Sequence, residues 1–146
     1  TGWIMRSSAT RHRSWLSNNE RRLQIRERWA EFFADFDAIL LPVHPRPALH
    51  HDHSMPQFER VVDIEGRDRP YLDLWTWIAP AGLGALPATV VPVGMSTDGL
   101  PIGVQIVGPF LHDRTTIHLA RLISQLMSDR NGWPAACPRP PKLRFA

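Results

Sequence analysis

Two apolar, β-branched runs sit close together in this chain, Ala88-Thr-Val-Val-Pro-Val-Gly94 and Leu100-Pro-Ile-Gly-Val-Gln-Ile-Val-Gly108. Ser96-Thr-Asp-Gly99 lies between them, and its Asp-Gly pair supplies the positive φ a turn needs. The two runs read as a hairpin with a loop longer than two residues. Pro92 and Pro101 cannot donate to a ladder, so they belong at strand ends or bulges. Strands apolar along both faces need cover on both sides. This demand constrains everything else the chain can do.

The cover has to come from helices. Ser14–Phe36 predicts one, with Ile25, Trp29, Phe32, Phe33 and Phe36 at helical spacing and Ser17 or Asn18 as the cap of its main body. Asp113 is expected to cap a second helix from about Arg114 to Ser128, with Ile117, Ala120, Ile123 and Leu126 or Met127 as its buried stripe. Asn131-Gly132 ends it. Asp37-Ala-Ile-Leu-Leu-Pro-Val43 reads as a buried strand, parallel and central. His44–Arg60 is a loop, since Pro45, Pro47 and Pro56 forbid regular structure. Val61–Ile64 is a short strand turning at Glu65-Gly66. Leu72–Ala79 forms helical turns that Pro80 and Gly82 are expected to end. Trp133–Ala146, with four prolines, is an extended tail.

The order of elements makes an α/β layer with helices covering a sheet. Three strands of this type ask more cover than two long helices supply. The 146 residues suit one domain, yet the missing cover and a first residue that is Thr1 rather than Met point to a single partial domain cut from something longer. The chain is then expected to expose a large apolar patch and to associate through it.

Composition narrows the classes. Apolar residues at 43% exclude a wholly disordered chain. No apolar run is long enough for a membrane-spanning helix, so no membrane partner is expected. The one cysteine, Cys137, excludes an internal disulfide and favours a reducing compartment such as the cytoplasm. Residues 1–28 hold seven arginines against two glutamates. Without a stacking platform or a basic groove motif, these charges read as the solvated face of a helix, and no nucleic-acid partner is expected.

Two side-chain clusters suggest chemistry. His44, His50, His51, Asp52 and His53 carry metal-ligand chemistry, but they share one proline-filled loop without rigid support, so a solvated loop is expected and no metal. His112, Asp113 and Ser124 or Ser128 imitate a Ser/His/Asp set. The serines lie about three turns along the helix that Asp113 opens, too far for a hydrogen bond to His112.

Leu86-Pro-Ala-Thr-Val-Val-Pro-Val-Gly94, followed by Asp98-Gly-Leu-Pro-Ile-Gly-Val-Gln-Ile-Val-Gly108, resembles the C-terminal part of the amidase signature family. Asp113 and Ala120 match the family's closing helix, and Trp29, Phe33, Phe36-Asp37 and Leu40-Leu-Pro42 look like its preceding helix and strand. The resemblance spans roughly Arg22–Met127. It departs at Gly82, where the family has an Asn, and at Ala85, where it has a Gly.

The resemblance implies the C-terminal portion of an α/β/α fold on a mixed sheet. It implies hydrolysis or transfer of amides by a Ser–Ser–Lys set, in which a neutral lysine relayed through a bridging serine activates the nucleophile. No cofactor is implied. This chain has no Gly-Gly-Ser-Ser-Gly stretch, and its sole lysine is Lys142. It therefore carries no catalytic residue of that set, and is expected to be inactive alone. The family's acyl-pocket segment maps to Trp75, Ile78 and Ala79, which become the expected substrate-binding residues. In a complete enzyme the partner is a small-molecule amide. The A subunit of a glutamine-dependent transamidase is a close variant, and a non-catalytic interaction module derived from an amidase is the alternative.

Overall fold

The computed structural model describes residues 9–131, excluding the side chains of the last four. The proline-rich tail lies outside the described residues. Helix α1 runs His12–Phe32. It starts earlier than Ser17 or Asn18 would place it, because Arg11–Leu16 contains no breaker, and one Ser or Asn inside a helix costs only tenths of a kcal/mol, about 0.5. Arg11 precedes it without a side-chain cap. Phe33 ends it, and Phe36 lies beyond the helix, its ring stacked 4.8 Å from Phe32.

Strand β1, Ile39–Pro42, is followed by the His- and Pro-rich loop and a 3-10 turn at Gln57–Glu59. Strands β2, Val61–Ile64, and β3, Arg67–Pro70, form a tight hairpin. Glu65 at φ 54° and Gly66 at φ 74° make the mirror-image turn that matches strand twist. A 3-10 helix, Tyr71–Ile78, passes into the short helix α2, Ala79–Gly84. Pro80 and Gly82 do not stop it, contrary to the sequence expectation. Pro80 sits in the first turn, where no N–H is required.

The terminator of α2 is Ala85, in the left-handed region at φ 53°, ψ 41°. Leu86 N–H donates to Ala81 O at 2.9 Å and Ala85 N–H to Gly82 O at 3.4 Å. This double bond pattern closes a helix with a left-handed residue, usually glycine. Leu86 then packs with Ala81 in the core.

Strands β4, Ala88–Met95, and β5, Pro101–Val107, form the expected hairpin. Pro101 is the first residue of its strand, and the register shifts between Pro92 and Gly94, so both prolines stand where no ladder donor is needed. In the loop, Gly99 takes φ 74°, and Leu100 N–H bonds Ser96 Oγ at 3.1 Å. Helix α3 spans Asp113–Asn131.

The main sheet has order β1-β5-β4, with every pair antiparallel. β1 is therefore an edge strand and antiparallel, not a central parallel one. Its apolar residues on both faces misled: Ile39 and Leu41 pack on the core, while Leu40 points the other way and is 56% exposed.

Paired residues of an antiparallel ladder share a face. One face carries Leu40, Ile106 and Thr89, and α3 covers it near β4, where the Thr89 and Thr116 hydroxyls meet. The other carries Ile39, Val107 and Ala88, and α1 and α2 cover it near β1 through Trp29, Phe33, Ala81 and Leu86. Ile106 and Val107, adjacent on β5, are fully buried on opposite faces. The cover is staggered. Leu40 and Pro42 are bare on the first face at the β1 edge, and Ala88, Val90 and Pro92 are bare on the second at the β4 edge.

The buried stripe of α3 also differs from expectation. Thr116 is 1% exposed, and Ala120, Ile123 and Met127 are half-buried, but Ile117 and Leu126 face solvent at 59% and 55%. Thr116 docks instead because its hydroxyl reaches Thr89, which fixes the roll of the helix.

Candidate functional site

The expected substrate-binding residues stand at the junction of the 3-10 helix and α2. A 3-10 helix repeats every three residues, so Trp75 and Ile78 share one side and Leu74 faces another. Leu74 is the anchor, 2% exposed, while Trp75 and Ile78 are 41% and 42% exposed. Ala79 is exposed beside them. Together they present an apolar face to the outside of the described residues.

Eight residues is a long run of 3-10 geometry, and side-chain bonds from within it and from β5 help to hold it. Thr76 Oγ1 donates to Asp73 O at 2.8 Å within it. Gln105 Nε2, from the centre of β5, donates to Trp77 O at 3.0 Å. Gln105 is 4% exposed. A buried amide left unpaired is costly, so its bond to Trp77 pins the segment bearing Trp75 and Ile78 to the sheet. The sequence reading missed Gln105 as a positioning residue. Its signal was present: it is the one polar side chain in an apolar strand.

The departures from the family pattern have distinct local meanings. A Cβ at Gly82 would meet nothing within 4 Å, so the site has room for a larger side chain. Ala85 occupies the left-handed position itself, where its Cβ is strained.

The histidine loop assembles no metal site: among the described residues no three His, Cys, Asp or Glu side chains converge on a point that could hold an ion. His51 and His53 meet edge to face at 6.0 Å. Asp52 accepts from Ser54 N–H at 2.8 Å and Ser54 Oγ at 2.6 Å, and these bonds hold its carboxyl below the usual carboxylate range. Asp113 opens α3, and Ser124 lies roughly 16 Å along it. Among the described side chains, no Ser/His/Asp set forms there. No described helix is long and apolar enough to cross a membrane.

A family model described as amidase matches residues 2–117. The A subunit of glutamyl-tRNA(Gln) amidotransferase from Brevibacillus brevis is 37% identical over 94 residues, covering 64% of this chain and 17% of its own length. The 6-aminohexanoate-cyclic-dimer hydrolase of Paenarthrobacter ureafaciens is 33% identical, covering 64% of this chain and 19% of its own. The crystal structure of the amidotransferase A subunit from Thermotoga maritima superposes with a TM-score of 0.61 at 30% identity, over 84% of this chain and 24% of that one. The chain thus spans about a fifth of the length of these curated relatives. With the family pattern matched over most of its residues and the fold matched independently, this chain belongs to the amidase family.

Proposed function

We propose that this chain forms the C-terminal share of an amidase that cleaves carboxylic amide C–N bonds in the cytoplasm. Its Ser–Ser–Lys set is supplied by the polypeptide upstream. The share it contributes is a wall of the acyl pocket, built from Trp75, Ile78 and Ala79. The supporting observation is the apolar face of these residues, held outward by the buried bond from Gln105 to Trp77. An apolar wall of this kind suits aromatic or aliphatic acyl groups and disfavours charged ones.

The likeness to amidotransferase A subunits supports a second reading, in which the share belongs to a transamidating enzyme acting on glutamine. Trp75 favours the first, because an indole offers a polar substrate tail only one donor.

The test begins with the coding sequence upstream of Thr1. A longer product carrying a Gly/Ser-rich loop and a lysine is expected to hydrolyse aryl amides, and the 146-residue chain is not. In the longer enzyme Trp75→Ala is expected to lower kcat/KM for bulky acyl amides by about tenfold, corresponding to roughly 1.4 kcal/mol, while sparing acetamide. Hydrolysis by the 146-residue chain alone, or equal kcat/KM across substrates in Trp75→Ala, overturns the proposal.

A further inference from the structure

A cleft of about 560 Å³ opens between the loop after β1 and a wall made by β2 and the 3-10 helix, and Trp75, Ile78 and Ala79 are not among its lining residues. That volume falls in the range of small-molecule sites. Its floor is apolar, with Val62 and Leu74 buried and Leu49 half-buried. Its rim is cationic. Arg46 and Arg60 line it from the two ends of the loop that joins β1 to β2, and both are half-buried.

Each guanidinium is oriented by one bond to the main chain. Arg46 Nη1 donates to Asp63 O, and Arg60 Nε donates to Met55 O at 2.8 Å. Arg60 also lies over the Tyr71 ring, 5.7 Å from its centroid. A guanidinium carries five N–H donors, so these anchors leave both arginines most of their hydrogen-bonding capacity.

The imidazoles of His44, His50, His51 and His53 stand on the same rim. Asp52 and Asp63 also line the cleft, and Asp63 offers Arg46 its main-chain carbonyl. Asp52 is occupied by Ser54. Two permanent cations thus line the cleft, and the charge of one of them, Arg60, also acts on Asp52.

We propose that this cleft binds an organic acid. The acid's apolar body lies on the Val62–Leu74 floor, and its carboxylate is met by the guanidinium groups of Arg46 and Arg60. The inference stands apart from the amidase reading, since it requires no hydrolysis and its test reads binding alone.

Calorimetric titration of the 146-residue chain with 4-phenylbutyrate tests it, with 4-phenylbutyramide as the neutral counterpart. Saturable binding of the acid is expected, at least about tenfold tighter than the amide. Arg60→Gln is expected to weaken it about tenfold, with Arg60→Lys restoring part. Circular dichroism confirms that each variant is folded. Equal binding of acid and amide, no saturation up to about 10 mM acid, or an unchanged Kd in folded Arg60→Gln overturns the inference.

Discussion

The hydroxyls of Thr89 and Thr116 lie 2.8 Å apart, joining β4 to α3. Thr116 Oγ1 also donates to Asp113 O at 2.9 Å. A hydroxyl has one proton, so Thr116 spends its own on Asp113 and accepts the proton of Thr89. The direction of the bond follows from the count. Thr116→Val keeps the shape and removes both bonds, and is expected to destabilise the chain by about 2 kcal/mol. Thr89→Val removes one and is expected to cost about 1 kcal/mol. Urea titrations followed by far-ultraviolet circular dichroism measure both, and equal effects would contradict the assignment of donor and acceptor.

The same threonine explains a glycine. A Cβ at Gly108 would stand 2.7 Å from Thr116 Cγ2. Gly108→Ala is expected to destabilise by about 2 kcal/mol through this overlap. Serine lacks the offending methyl, so Gly108→Ala with Thr116→Ser is expected to be less unstable than the two single costs added. A double-mutant cycle reads that coupling, and strict additivity would dismiss the contact.

Ala85 makes the opposite prediction. Its left-handed backbone costs an L-residue roughly 1–2 kcal/mol, and glycine removes that strain but adds entropy to the unfolded chain, about 0.5–1 kcal/mol. The difference favours Ala85→Gly by about 0.5–1 kcal/mol. Thermal melts are expected to rise by a few degrees, about 3 °C. A lowered Tm would show that the helix end is held differently.

Gln105→Leu is expected to release the 3-10 helix by freeing Trp77 O. In the 146-residue chain this appears as faster amide exchange at Leu74–Ile78, with an overall loss of about 1–2 kcal/mol. Gln105→Glu changes the donor to an acceptor and is expected to be worse than Leu. If exchange in that segment is unchanged in both, Gln105 has no part in positioning Trp75.

Leu40, Val90, Trp75, Ile78, Leu111 and Leu126 are all exposed apolar side chains. Such a surface favours association. Sedimentation velocity is expected to show concentration-dependent species above the monomer, and Leu40→Lys, a charge on the open edge of β1, is expected to reduce them. A single sharp monomer boundary at high concentration would count against this.

What the sequence disclosed and what it concealed divide along physical lines. The hairpins were legible because Glu65-Gly66 and Asp98-Gly99 state their turn chemistry locally. The edge position of β1 was not, since Ile39–Leu41 is apolar on both faces whether a neighbour covers Leu40 or not. The roll of α3 was hidden because it depends on one hydroxyl at Thr116 meeting another, 27 residues away. Ala85 stood out only against the family pattern, where its missing glycine becomes a strained dihedral. Trp75, Ile78 and Ala79 came from resemblance alone. The cleft of Arg46 and Arg60 was illegible, because it joins segments whose proximity only folding creates.

The staggered cover of the sheet carries an instruction for assembly. A strand added beyond β1 must arrive with its helix on the face of Leu40, and one added beyond β4 must arrive with its helix on the face of Val90. A segment offered to the wrong edge would crowd two helices on one side and leave the other wet. The slab behaves as half of a lap joint. It accepts further sheet at either end, but at each end in one orientation only, so its handedness is already decided before any neighbour is present.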